Sequence, residues 1–269
     1  MAVAVMGVVN VSPESFHPGS VYVSGERLMR AAVSMVEAGA SIIDVGARST
    51  APYLRTAINE DLETERLLWA VEILAPKLTV PVSADTRRPG PARAALDAGA
   101  RAINDVSGLA DPSIARLVAE YDAGVILMAN PSTRRRQSGA TPIATVRALL
   151  QGCLERARAA GIPDERVVLD PGIGYFRGER LAWPVWDLQV LADLEALADL
   201  GRPLCVGVSR KSFIGEITGR AATEDRLPGS LAAATVAVLN GAALIRAHDV
   251  AETVDAVRVA ERLRRAIRG

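Results

Sequence analysis

The sequence predicts an α/β protein, a (β/α)8 TIM barrel formed as a single domain over residues 1–269. Three observations carry that expectation. Eight short apolar runs recur along the chain, alternating with stretches of helical pattern. The runs lack polar alternation, which is how strands of a parallel sheet buried on both faces read. A helical stretch also ends repeatedly in Gly a few residues before the next run, as in Glu37-Ala38-Gly39-Ala40 before Ser41-Ile42-Ile43-Asp44. Gly there takes the left-handed conformation that closes a helix at little steric cost. Eight β-then-α units close most simply into a barrel, with a doubly wound open sheet as the alternative.

Taken in order, the strands fall at Val3–Val9, Ser41–Asp44, Thr79–Ala84, Arg101–Asn104, Val125–Met128, Val167–Asp170, Leu204–Val206 and Ala243–Arg246. Helical patterns lie near 24–38, 57–75, 89–98, 111–121, 142–160, 184–200, 224–240 and 250–268. Gly39, Gly99, Gly124, Gly161, Gly201 and Gly241 are the expected αβ turns. After the seventh strand, Ser212-Phe213-Ile214-Gly215 leads towards further helix. No Pro/Gly/Ser-rich linker or low-complexity tract divides the chain.

Composition narrows the function classes. Of 269 residues 49% are hydrophobic, enough for a large core, and the formal charge of +0 gives no basic excess to attract nucleic acid. The first residues, Met1-Ala2-Val3-Ala4-Val5-Met6, lack the basic segment of a signal peptide. No apolar run reaches the roughly 18 residues of a membrane span. Cys153 and Cys205 fall in core patterns with no CxxC or Cys/His cluster, and read as reduced thiols. The expected compartment is the cytoplasm.

A barrel places its chemistry at the C-terminal ends of its strands. Those ends carry Asn10; Asp44; Asp85 and Thr86; Asn104 and Asp105; Met128 and Asn130; Asp170; Ser209 and Lys211; Arg246 and His248. Any one of these reads as a cap or turn former. Together they exceed what capping asks for. Lys211 is informative because it and Lys77 are the only lysines among 31 basic residues, so a compact ammonium has been kept where arginine is otherwise used. Asp85, Asn104, Asp170 and Lys211 suit the polar edge of a flat heterocycle. Asn10, Arg246 and His248 suit a phosphate or diphosphate, and Asn10 offers an oxygen to Mg²⁺.

Seven stretches, in order, resemble the dihydropteroate synthase family of pterin-binding barrels. They are Met6-Gly7-Val8-Val9-Asn10-Val11-Ser12-Pro13, Ile42-Ile43-Asp44-Val45-Gly46, Val82-Ser83-Ala84-Asp85-Thr86, Ile103-Asn104-Asp105-Val106-Ser107-Gly108, Leu169-Asp170-Pro171-Gly172-Ile173-Gly174, Ser209-Arg210-Lys211-Ser212 and Arg246-Ala247-His248-Asp249. The resemblance implies a transferase that joins (7,8-dihydropterin-6-yl)methyl diphosphate to 4-aminobenzoate with Mg²⁺. It further implies pterin binding by Asp85, Asn104, Asp170 and Lys211, and diphosphate binding by Asn10, Arg246 and His248, with Asn10 as metal ligand. Thr50, Ser209 and Arg48 fall to the acceptor, and Asp85, Lys211, Arg246 and His248 to catalysis. The family is usually a homodimer through its late helices.

The acceptor loops depart from the family pattern. Arg48 stands where the family has Glu, Ala51 where it has Arg, and Met128-Ala129 where it has Met-His. Tyr175-Phe176-Arg177 replaces Phe-Gly-Lys, followed by Trp183 and Trp186, which read as packing residues; Arg134-Arg135-Arg136 reads as a solvated loop. Arg48 either restores local charge or meets a phosphorylated acceptor. Hence the alternatives are a transferase using a phosphorylated aminobenzene (methanopterin-type), a methyltetrahydrofolate-binding corrinoid methyltransferase, or a non-catalytic pterin-binding paralogue.

Overall fold

The computed structural model describes residues 2–12, 22, 24–48, 58–133, 140–179 and 181–268. Eight parallel strands form one sheet: β1 (Ala4–Asn10), β2 (Ile42–Gly46), β3 (Val82–Asp85), β4 (Ala102–Asp105), β5 (Gly124–Met128), β6 (Val167–Asp170), β7 (Cys205–Gly207) and β8 (Leu244–Ala247). The strands are hydrogen-bonded in the order β6-β5-β4-β3-β2-β1-β8-β7, and a single bridge, Leu169 to Leu204, joins the two ends. The expected barrel is therefore present, closed most lightly between β6 and β7.

Around it lie α1 (Gly25–Glu37), α2 (Glu60–Leu74), α3 (Pro89–Asp97), α4 (Pro112–Glu120), α5 (Pro142–Ala159), α6 (Trp183–Ala192), α7 (Ser212–Thr218), α8 (Leu227–Leu239) and α9 (Val250–Arg268). Outward strand residues such as Val9, Ile43, Val45, Ile103, Leu127 and Ile245 join these helices in one continuous core. Inward residues form a second, smaller cluster of Met6, Ile126, Cys205 and Leu244, against which Ala4, Ile42 and Val168 pack. Both strand faces are buried, which is why the runs read as apolar without alternation. Both cysteines are buried and free.

The αβ turns follow the expected chemistry with one exception. Five of the six glycines adopt positive φ, from 68° at Gly201 to 107° at Gly39, but the turn before β5 places Asp122 in the left-handed region at 52°. Gly124 instead opens the strand. Asp tolerates that conformation better than most residues, so glycine is not required there.

Three other boundaries differ from expectation. β3 begins at Val82 because Pro81 precedes it and cannot donate to the ladder. The helix expected over 184–200 stops at Ala192 and continues as a 3-10 segment, Leu194–Leu200. Asn240 donates to the carbonyls of Leu191 at 2.8 Å and Ala192 at 3.1 Å, satisfying that helix end from outside. The pattern over 224–240 becomes α-helix only at Leu227, with Pro228 in its first turn where a missing N–H is harmless.

Candidate active site

Side chains two residues apart on a strand share a face. Above the inner apolar cluster, the same faces turn polar towards the C-terminal rim: Asp44 follows Ile42, Asn104 follows Ala102, Asp170 follows Val168 and Arg246 follows Leu244. Strand register brings Asn10 beside Gly46, Gly46 beside Asp85 and Asp85 beside Asn104. Met128 lies beside Asp170 and Gly207 beside Arg246. An apolar plug thus carries a polar floor.

Arg246 is the centre of that floor. Its Nε donates to Asp44 Oδ2 at 2.7 Å and its Nη2 to Asp85 Oδ2 at 2.9 Å. Asn104 Nδ2 donates to the same Asp44 oxygen at 3.0 Å. The second oxygens, Asp44 Oδ1 and Asp85 Oδ1, are buried and receive no hydrogen bond among the described residues. Burial lifts the Asp85 carboxyl to about 7, opposed by the Arg246 guanidinium and reinforced by the neighbouring Asp44 and Glu63 carboxylates. Arg246 lies above the ordinary arginine value: burial opposes its charge, but Asp44 and Asp85 outweigh that. The raised Asp85 value and its short ion pair are compatible because one guanidinium serves two buried carboxylates.

Lys211 approaches from the other side. Its Nζ lies 4.9 Å from the centroid of the Tyr175 ring, and its stem runs along Gly174. Burial pulls its ammonium below the ordinary lysine value, while Asp170 holds it up. Asp170 is raised by burial and lowered by the Gly172 N–H, which donates to its Oδ1 at 2.7 Å, and by Lys211. One Asp170 oxygen therefore shapes its own loop.

The segment after β7 is held tightly. Arg210 adopts φ 55°, a strained conformation for a side-chain-bearing residue. Its guanidinium pairs in fork geometry with Asp249, at 2.8 Å and 2.6 Å, and donates to the carbonyls of Thr223 and Glu224. Ser209 Oγ lies 2.9 Å from His248 Nδ1 and accepts the His248 backbone N–H at 3.2 Å. A hydroxyl that accepts one bond can donate another. Donation to Nδ1 would put the His248 ring proton on Nε2.

The remaining expected residues divide. A Cβ on Gly46 would come within 2.9 Å of Asn10 Oδ1, so only glycine leaves that amide its place. Arg48 lies 3.6 Å from Glu63, a carboxylate buried on α2 that also receives Thr86 Oγ1 at 2.6 Å and Arg88 Nη1 at 2.9 Å. That partner fits the charge-restoring reading of Arg48. Thr50 and Arg134–Arg136 lie outside the described residues. Asp105 and Asn130 are turn formers: Asp105 accepts the N–H groups of Ser107 and Leu109, and Asn130 that of Ser132. Trp186 packs as expected, stacked on Phe176 with centroids 4.9 Å apart.

In the sequence Asp44 reads as a strand end with no part of its own, and Glu63 and Asp187 carry no signal that sets them apart. Asp44 was visible inside one of the motifs. Glu63 and Asp187 sit in helices whose sequence does not distinguish them from surface acids.

Comparison with known proteins agrees with this geometry. The profile described as pterin binding enzyme matches residues 6–248. The dihydropteroate synthase of Escherichia coli (strain K12) is 38% identical over 261 residues, 96% of this chain and 90% of that protein. That of Mycobacterium leprae is 38% identical over 270 residues, 96% and 92% of the two chains. Among solved structures, the Yersinia pestis dihydropteroate synthase with a sulfonamide drug superposes with TM-score 0.89 at 33% identity, covering 98% of this chain and 95% of that one. The Xanthomonas albilineans enzyme with 4-aminobenzoic acid gives 0.87 at 37% identity, covering 97% and 93%. With near-complete coverage in both sequence and fold, and the motif residues gathered on one rim, the chain belongs to the pterin-binding enzyme family, among the dihydropteroate synthases.

Proposed function

We propose that this protein joins (7,8-dihydropterin-6-yl)methyl diphosphate to the amine of 4-aminobenzoate, releasing diphosphate, in folate biosynthesis. The observation that carries the reading is the pair of buried carboxylate oxygens, Asp44 Oδ1 and Asp85 Oδ1, that receive no hydrogen bond among the described residues, near Asn104, Asp170 and Lys211. An unpaired buried acceptor costs on the order of 1–3 kcal/mol. The amino-pyrimidine edge of a pterin brings N–H donors to such acceptors.

In the reaction the methylene C–O bond breaks and diphosphate leaves with the electron pair. The amine nitrogen then forms the new C–N bond and gives up a proton to solvent. Asp85 stabilises the positive charge that develops on the pterin methylene, while Arg246 and His248 take the negative charge of the departing group. An aryl amine is weakly basic, so no strong base is needed beside it. Ser209 and Thr50 are assigned to the acceptor side; Arg48, expected there too, lies 3.6 Å from Glu63, which favours its charge-restoring role over contact with an acceptor phosphate.

Mg²⁺ is assigned to Asn10: an amide oxygen at the strand end beside Gly46 is the kind of ligand that suits an ion drawing most of its ligands from phosphate and water. When bound, it supplies further neutralisation of the diphosphate. Among the described residues no group of three or more His, Cys, Asp and Glu forms a protein-only metal cage. No helix among them is long and apolar enough to cross a membrane. The full chain, 1–269, is read as one domain because all eight strands share one sheet. A homodimer through the late helices is supported by exposed Val236 on α8 and Val259 and Leu263 on α9. The zero formal charge supports small-molecule rather than nucleic-acid partners.

The test is incubation with the pterin diphosphate, Mg²⁺ and each amine, following diphosphate release. Release is expected with 4-aminobenzoate. Release only with a phosphorylated arylamine would transfer the protein to the alternative acceptor class.

A further inference from the structure

The first turns of α6 hold the loop after β6 at three points. Trp186 stacks on Phe176, Trp183 lies beneath the Arg177 guanidinium at 3.7 Å, and Asp187 Oδ1 accepts the Gly174 N–H at 2.9 Å. The two tryptophans pack. Asp187 differs, because it is a carboxylate only 1% exposed whose second oxygen receives no hydrogen bond among the described residues. A neutral amide oxygen would accept the same N–H without burying a charge. The charge therefore needs another reason.

Two cations lie close enough to act on the Asp187 carboxyl through charge: Lys211, at the β7–α7 turn, and Arg177, in the loop itself. The residue Asp187 grips is also the one on which Lys211 rests. A Cβ on Gly174 would meet Lys211 Cδ at 3.3 Å and Nζ at 3.6 Å, and Gly174 holds φ 87°. Tyr175, the next residue, places its ring beneath the ammonium.

We propose that Asp187 is a positioning residue for Lys211: it fixes Gly174 as the surface on which the lysine stem lies, and its carboxylate sets a negative charge behind that surface to hold the ammonium in place for the pterin substrate. This rests on the reading of the floor as a pterin site. Burial pushes the Asp187 carboxyl up to about 6, with the Gly174 N–H, Lys211 and Arg177 opposing. Its charge is thus present above that pH and lost below it. Lys211 feels Asp170 first, then Arg246 in the opposite sense, then Asp187 and Asp85.

The chain has only two lysines, so Lys211 can be watched directly by NMR of ¹³C-labelled lysine, with Lys77→Arg identifying the other signal. Asp187→Asn keeps an acceptor for Gly174 and removes the charge; Asp187→Leu removes both. In Asp187→Asn, Lys211 is expected to titrate at lower pH than in the parent. Its kcat/KM for the pterin diphosphate should fall about 10-fold, and that of Asp187→Leu about 100-fold, with the KM for the amine unchanged in both. A Lys211 titration identical in the parent and Asp187→Asn overturns the proposal, whether or not the leucine variant folds. A parent protein that forms no product while its Lys211 titration still responds to Asp187→Asn would instead overturn the pterin reading and leave the coupling standing.

Discussion

Asp85 meets two opposed demands. In the proposed reaction, steadying the pterin-methylene cation calls for its carboxylate, yet burial favours the neutral acid and lifts its titration to about 7. A carboxyl whose native pKa is raised binds its proton more tightly in the folded state. Its contribution to stability is then fullest at low pH and declines as pH rises from about 4 to about 7. Asp85→Asn imitates the neutral form. The variant should melt at higher temperature than the parent at pH 8, with the difference closing at pH 4, as scanning calorimetry would record. Its turnover should fall by about 100-fold or more, while pterin affinity falls much less. Equal losses in kcat and affinity would remove cation stabilisation from the role of Asp85. The sequence showed Asp85 and Arg246 as separate strand ends. It did not show their contact, which joins residues 161 positions apart and depends on which strand faces point inward.

At the scale of elements, the turn from β7 into α7 shows what a motif leaves out. Ser209, Arg210 and Lys211 are all legible as a polar strand end, but only Ser209 and Lys211 turn to the site. Arg210 is buried in the scaffold and sustains φ 55° through Asp249 and two carbonyls. Helix α7 itself was only an indefinite helical stretch in the sequence, because seven residues with Gly215 inside give too little periodicity to read. Gly215 is required there: a Cβ would come within 2.5 Å of the Arg220 carbonyl. Asp249→Ala leaves the Arg210 guanidinium without its carboxylate in a nearly buried place, costing about 2–4 kcal/mol. The turn should then relax away from its strained conformation. Urea unfolding should record the loss of stability, and kcat/KM should fall for the pterin and the amine alike, since Ser209 and Lys211 share the turn. An effect on stability with unchanged kinetics would mean that the strain does not position the site.

The whole molecule adds a weakness that no local pattern contains. Adjacent strands β1 and β2 pair over five residues, whereas β6 and β7 are joined by the one bridge between Leu169 and Leu204. Strand β7 is three residues long, and across the seam the Leu169 N–H donates to the Pro203 carbonyl at 2.9 Å. Closure of the barrel was expected from the count of units, but its lightest point depends on strand lengths at β6 and β7 that the sequence leaves uncertain by a residue or two. Asp170 ends β6 and Lys211 follows β7, so a pterin gripped by both would span this seam. Native-state amide exchange reads the consequence. Without ligand, the Leu169 amide should exchange faster than the amides of Val8 and Val45 in the middle of the β1–β2 ladder. A saturating pterin should slow Leu169 and its neighbours across the seam more than it slows β1 and β2, because it adds a connection where the sheet has fewest. Protection spread evenly over the eight strands would show a ligand seated above the rim rather than one that fastens the two edges together.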